Sequence, residues 1–393
     1  MRTFHCDHCW NAVFFENTHC TQCGHQLGVL PDFLRVSALT QSGDSTWRAL
    51  MPAAHDRLYR KCRNYEAHNV CNWMVRAETS DHYCIACRLN LIIPNLSRPG
   101  FVDHWYRLER SKRRLLYSLL KLGLPVVSKS VQPDGGLAFS FMSDLDAPSG
   151  QTVVTGHANG NITINIDEAD SAIRERNRLD LNEKYRTLLG HFRHEIGHYY
   201  WDRLIRDRGA IEDFRKLFGD ERIDYAASLD RYYEQGPPPD WSNRFITPYA
   251  SSHPWEDWAE SWAHYLHIVD ALDTAGHFGL RMKRELADGS VHRADPRFDP
   301  YHIREFHPII EHWIPLTFAL NSLNRSMGFQ DLYPFVLPQP AIEKLAFVHD
   351  IVRASPEYPP DYVVTWDRGP SQLGLGLIRR LLRLWQGIRQ RSP

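Results

Sequence analysis

The stretch LLGHFRHEIGHYYWDRL, residues 188–204, sets two histidines four positions apart with a glutamate directly after the first. Positions i and i+4 of a helix lie on one face, so the imidazoles of His194 and His198 can reach a single zinc ion. Glu195, one position on, lies beside such a metal and can hold its water without binding it directly. Leu181, Tyr185, Leu188, Leu189, Phe192, Ile196 and Tyr199 form an apolar stripe around the motif, which predicts that a buried helix carries it. His191, one turn earlier, reads as a packing histidine rather than a ligand. A catalytic zinc needs a third protein ligand and one open position for water.

A metzincin would continue with Gly at 201 and His at 204. Trp201 and Leu204 stand there instead, which excludes that class. Downstream, ITPYASSHPWEDWAESWAHYLH, residues 246–267, places Glu256 and Glu260 four apart on one helical face, with His253 and His264 nearby. Any of these four is a candidate for the third ligand. The pair resembles the gluzincin metallopeptidases, in particular compact ones whose second helix carries Glu-x-x-Ala-Glu. The resemblance implies that Glu256 binds the zinc and that Glu260 hydrogen-bonds the first histidine, as carboxylates commonly do for zinc-bound imidazoles. It also implies a role for Tyr249, seven residues before Glu256, whose hydroxyl would stabilise the oxyanion. Simple packing is the alternative for that tyrosine.

All eight cysteines fall within the first 87 residues. Cys6, Cys9, Cys20 and Cys23 read as two Cys-x2-Cys turns ten residues apart, each aiming two thiolates at one point; together they predict a structural zinc ribbon. Between them AVFFEN is short and apolar, fit for a strand. Cys84 and Cys87 form a third such turn, whereas Cys62 and Cys71 are separated by eight residues. A second zinc site made of four cysteines is expected there, because otherwise four thiols are left over. In regions this small the metal substitutes for a core.

The rest of the chain suits a globular enzyme. With 43% hydrophobic residues it can bury a large core, and a formal net charge of -1 gives no global pull towards nucleic acid or a bilayer. No apolar run reaches membrane-spanning length and MRTFHCDHCW does not read as a signal peptide, so a cytoplasmic location is expected. HWYRLERSKRRLLYSLLKLG, residues 104–123, reads as a helix with a solvated basic face. LAFSFM, QTVVTGH and NITINI read as strands, the last two joined by a hairpin turn at Asn159-Gly160. Residues 168–208 read as helix in one or two pieces, and more helices follow the Gly236–Asp240 break to about residue 353. The tail, GPSQLGLGLIRRLLRLWQGIRQRSP, carries apolar residues at 377, 381, 384 and 388 among five arginines, an amphipathic pattern that suits a partner or an anionic surface, with docking back onto the body and disorder equally open.

The order of ribbon, basic helix, NITINI, the His-Glu motif and HPWEDWAESWAHYLH resembles the bacterial "putative zinc-binding metallopeptidase" family over roughly residues 4–353. The expected fold is therefore α+β: a zinc-ribbon region over 1–95, a zincin-like metallopeptidase domain over 96–353, and a tail over 354–393. The expected activity is hydrolysis of a peptide or protein substrate, with one catalytic and one or two structural zincs. A zinc held by His194, His198 and Glu256 would polarise the scissile carbonyl, with Glu195 as the general base. NITINI is expected at the sheet edge, pairing with extended substrate. The competing reading is an adaptor or nucleic-acid-linked protein acting through its ribbons; the ribbons and the tail are the candidate surfaces for a protein partner. A nucleic-acid partner is not expected, given the neutral charge.

Overall fold

The computed structural model describes residues 2–147, 151–181 and 183–355. The basic amphipathic segment of the tail lies outside them. The fold mixes helix and sheet, as expected of an α+β chain.

At the N-terminus β1 (Phe4–His5) and β2 (Ala12–Val13) pair as a short antiparallel hairpin, so the AVFFEN strand is only two residues long. The next strands form an antiparallel sheet that the cysteine-led reading did not anticipate. Its order is sequential: β3 (Gln26–Leu30), β4 (Arg35–Gln41), β5 (Trp47–Ala49), β6 (Leu58–Lys61) and β7 (Met74–Arg76). Leu27, Val29, Val36, Ala38 and Tyr59 of this sheet are buried. Helix α1 (Arg63–His68) fits between Cys62 and Cys71, which explains their irregular spacing. It ends at Asn69 in the left-handed region (φ 52°), a conformation asparagine tolerates.

Helix α2 (Phe101–Lys121) departs from the expectation of a solvated basic face. Glu109, Lys112 and Arg113 are all buried. The helix packs on the helix that carries the His-Glu motif, and its cations have partners in the interior. Lys112 Nζ donates to Glu109 Oε1 at 2.9 Å and also to Asn90, while Arg113 donates to the Val70 carbonyl. Burial works against the Arg113 charge, but the surrounding Cys71, Glu109, Cys87 and Cys84 outweigh it and raise its pKa. A charge pattern alone could not reveal this, because the compensating groups lie outside the helix sequence except for Glu109.

The second sheet has the order β10-β11-β9-β8, built from β8 (Asn90–Ile92), β9 (Ala138–Met142), β10 (Gly156–Ala158) and β11 (Asn161–Asn165). β8, β9 and β11 run parallel, and β10 folds back antiparallel on β11. The turn between β10 and β11 is Asn159-Gly160, with φ of 48° and 80°, the doubly positive geometry that favours Asn-Gly in tight hairpins. NITINI is therefore not the edge strand expected from its sequence. β11 is paired on both sides, with Ile162 and Ile164 fully buried, and β10 is the edge. Alternation identifies a half-buried strand but does not say which neighbours it has.

Helix α3 (Ser171–Asp180) and the motif helix α4 (Leu188–Tyr200) are separate pieces; Leu181 is exposed, so the apolar stripe begins effectively at Leu188. Helices α5 (Ile211–Phe218), α6 (Tyr225–Gln235) and α7 (Pro254–His277) follow. A hairpin of β12 (Met282–Glu285) and β13 (Val291–Ala294), unanticipated from the sequence, precedes α8 (His307–Ser326) and α9 (Gln339–Arg353). One connected core runs from Phe4 to Val352. No helix among the described residues is long and apolar enough to cross a membrane.

Removing one partner from a buried charge cluster strands the rest. Arg113→Ala is expected to destabilise the fold by about 3–5 kcal/mol in chemical denaturation, whereas the exposed Lys216→Ala should leave it essentially unchanged.

Candidate metal centre

Thr187 opens α4, its hydroxyl accepting the Gly190 N–H at 3.0 Å, and the helix then carries both motif histidines inward. Beyond Tyr200 it loosens into a π-helical turn over Trp201–Arg206. α7 begins at Pro254 with His253 as N-cap, the imidazole accepting from the Trp255 N–H at 3.0 Å. The two helices touch closely at Gly197. A Cβ there would lie 3.0 Å from Ala259 Cα and 3.2 Å from Trp262 Cβ, and Trp258 Nε1 donates to the Gly197 carbonyl at 2.9 Å.

That contact brings the two motif faces together. His194 Nε2 lies 2.9 Å from Glu256 Oε2 and 3.2 Å from His198 Nε2, and His198 Nε2 lies 3.6 Å from Glu256 Oε1. Glu256 Oε2 is buried yet has no hydrogen-bond partner, so its approach to His194 is not a formed hydrogen bond. Two imidazole nitrogens and a buried, unsatisfied carboxylate oxygen converging within 4.8 Å fit a zinc ion in donor type and spacing. Glu260 takes the other side of His194, with Oε1 2.8 Å from Nδ1, and Thr247 donates to its Oε2 at 2.7 Å. The remaining candidates sit elsewhere: His253 caps α7, His264 Nδ1 lies 2.6 Å from the Tyr333 hydroxyl, and His191 Nδ1 lies 3.3 Å from Glu168.

The electrostatics follow from this packing. Burial opposes the charged form of His194, but Glu256 and Glu260 outweigh it and hold its pKa well above the ordinary value. Burial likewise opposes the Glu256 carboxylate, and His198 and His194 hold it well below the usual range. Glu195 is raised, chiefly by burial, with His194 and His198 pulling the other way. Tyr249 lies in the turn before α7, its ring centroid 5.9 Å from that of His194; burial raises its pKa and keeps it a hydroxyl donor.

Two polar groups at this centre escaped the sequence reading. Tyr225 donates to Glu256 Oε1 at 2.7 Å, and Thr247 buttresses Glu260 as described. Thr247 stands two residues before Tyr249 and could have been suspected from proximity. Tyr225 sits 31 residues from Glu256, and no spacing rule points to it. Trp255 was also missed; its ring centroid lies 4.1 Å from that of His198.

The cysteines form two groups. Cys6, Cys9, Cys20 and Cys23 gather with Sγ contacts of 3.6 Å (Cys6–Cys23) and 3.5 Å (Cys9–Cys20), and Cys62, Cys71, Cys84 and Cys87 gather around a 3.7 Å Cys71–Cys84 contact. None is in a disulfide. Backbone N–H groups of Trp73 and Cys84 point at Cys71 and Cys62 sulfurs, at 3.4 and 3.3 Å, as they do where thiolates hold a metal.

A small mixed sheet beside two crossed helices bearing histidines and glutamates, behind a cysteine-rich region, defines a metallopeptidase-like domain with an N-terminal zinc ribbon. Residues 101–351 match the family described as "Putative zinc-binding metallo-peptidase", and residues 3–98 match a zinc-ribbon domain. The chain belongs to that zinc-binding metallopeptidase family. It is 41% identical over 362 residues to uncharacterized proteins of Mycobacterium bovis and of two Mycobacterium tuberculosis strains, covering 92% of this chain and 98% of each relative. No solved structure gives a significant match.

The helix contact should be sensitive to a single methyl group. Gly197→Ala is expected to cost about 1–3 kcal/mol in stability, by overpacking against Ala259 and Trp262, and to weaken zinc retention while leaving cysteine-bound zinc in place. Elemental analysis of the wild type is expected to give three zincs per chain, falling to two in Cys71→Ser.

Proposed function

We propose that the protein is a zinc-dependent peptidase, with zinc held by His194, His198 and Glu256 and with Glu195 as general base. The observation that carries this reading is the convergence of three ligand atoms from two helices, with Glu195 buried next to the first of them. Zinc bound there supplies a Lewis acid and a water of lowered pKa. Glu195 would serve as general base, holding a proton and releasing it to a leaving amine; its raised pKa suits a group that must both take and give. Glu260 orients His194 through Nδ1 and leaves Nε2 free to bind. Tyr225 holds one oxygen of Glu256. Tyr249 donates a hydrogen bond to the negative charge that develops on the carbonyl oxygen.

The substrate backbone has a place to pair. Ala158 and Asn161 flank the two-residue turn as a hydrogen-bonded pair, so the alternate residue His157 turns its N–H and C=O towards the open edge of β10. An extended peptide added there lies beside α4, against which β10 packs. The cysteine tetrads are read as two structural zinc sites. Cysteines gathered in tetrads rather than joined in disulfides suit a reducing compartment, which supports a cytoplasmic location.

Glu195→Gln should retain zinc and fold but lose peptide hydrolysis, because an amide cannot accept the proton. Profiling the new termini in a proteome digested by the wild type and by this variant checks it; near-normal cleavage by Glu195→Gln would refute the mechanism. Tyr249→Phe should lower turnover by about ten- to a thousandfold with zinc content unchanged.

A further inference from the structure

The groups that converge at the metal centre barely meet solvent. Glu256 is 1% exposed, His198 4% and Glu195 9%, so a peptide bond cannot seat between them as they stand. Helix α6 closes one side of this centre. Its Tyr225 hydroxyl donates to Glu256 Oε1 at 2.7 Å, and the charges of both Glu256 and Glu195 act on it. The Tyr232 ring centroid lies 5.7 Å from that of Tyr249, and Tyr233 hydrogen-bonds Tyr249. Just before the helix, the Ile223 carbonyl accepts from His253 Nε2 at 3.2 Å.

These ties are polar, and little else holds the helix down. Ser228 is the one buried residue of α6, while Tyr225 and Tyr233 are exposed. A segment with so few buried apolar side chains opens locally at low cost. Glycines bracket it on both sides, in conformations open essentially to glycine alone: Gly219 at φ 101°, ψ -176° and Gly236 at φ 74°, ψ -178°. A Cβ on Gly236 would meet nothing within 4 Å, so glycine stands there for its backbone and not for space. Pro237, Pro238 and Pro239 follow and stiffen the chain beyond that joint. A joint on each side of a weakly packed helix lets the piece between them move as a unit.

We infer that residues 220–235 form a lid over the metal centre, latched by the Tyr225–Glu256 hydrogen bond, and that the lid lifts to admit a peptide. The inference rests on the peptidase reading for what enters. Closed, the lid engages two groups assigned to the reaction, Glu256 and Tyr249; lifted, it frees both and opens the space beside Glu195. The latch takes Oε1 of Glu256, whereas Oε2 is the oxygen nearest His194, so the lid can lift without taking a ligand atom from the metal.

The test uses the full-length, zinc-loaded protein and two variants. Gly236→Ala strains the closed joint without touching the metal centre, and Tyr225→Phe removes the latch. Hydrogen exchange of the amides of residues 221–235 reads opening. The rate at which excess dipicolinate removes the zinc held by His194, identified by its absence from His194→Ala, reads exposure of the centre. At unchanged melting temperature and zinc content, Gly236→Ala should raise both rates at least about fivefold, with exchange in α4 and α7 unaltered. Tyr225→Phe should raise both rates as well. Wild-type exchange of 221–235 only through global unfolding, or no rise in either variant, would overturn the lid. Faster exchange with unaltered zinc removal would overturn it too, because the helix would then cover nothing at the metal. Glu195-dependent cleavage at one rate in the wild type and both variants removes the lid and leaves the peptidase. Faster exchange and zinc removal without cleavage by any form leaves the lid and removes the peptidase.

Discussion

Helices α4 and α7 approach so closely at Gly197 that a Cβ there would lie only 3.0 Å from Ala259 Cα, a contact its neighbours could meet only by shifting a few tenths of an ångström. Everything at the metal centre depends on this distance. The histidines come from one helix and the carboxylates from the other, so donor convergence is a property of the interface rather than of either helix. Trp258 and Trp262 lock the contact from the α7 side, one through its hydrogen bond to the Gly197 carbonyl and the other by packing. A slide of one helical turn would take Glu256 away from both imidazoles.

The same interface is anchored by charge. Arg193, adjacent to the first motif histidine, is buried and donates to Asp270 of α7; burial pulls its pKa down to about 10. Asp270 also accepts from Ser118 of α2, at 2.9 Å, and from Tyr301. One carboxylate thus joins three elements around the motif. α2 in turn presses Arg113 towards the second cysteine tetrad, where zinc thiolates would carry excess negative charge. The cysteine-rich region and the metallopeptidase-like domain are coupled through the buried cations of this helix, within one continuous core.

A half-open sheet completes the arrangement. With β11 committed on both sides, the short strand β10 presents the free edge, and the tight Asn159-Gly160 turn holds His157 against the rings of His198 and Trp255.

The sequence by itself determined the elements whose signals are local. His194 and His198 are four apart on an apolar stripe, the Cys-x2-Cys turns announce their own convergence, and Asn159-Gly160 allows only a tight hairpin; the mixed α+β class and the family follow from these and from the Glu-x-x-Ala-Glu helix. What tertiary structure decided is whatever depends on a neighbour distant in sequence. The basic run of α2 reads as solvated until the chain folds Asn90 and the sulfurs of Cys71 and Cys87 against it. NITINI reads as an edge strand and is not one, because alternation reports burial of one face and is blind to hydrogen-bonding partners. The grouping of Glu256 with both imidazoles and of Glu260 with His194 Nδ1 required the close helix approach that Gly197 permits. Tyr225 had no signal at all, since its position relative to Glu256 exists only once the helices have packed.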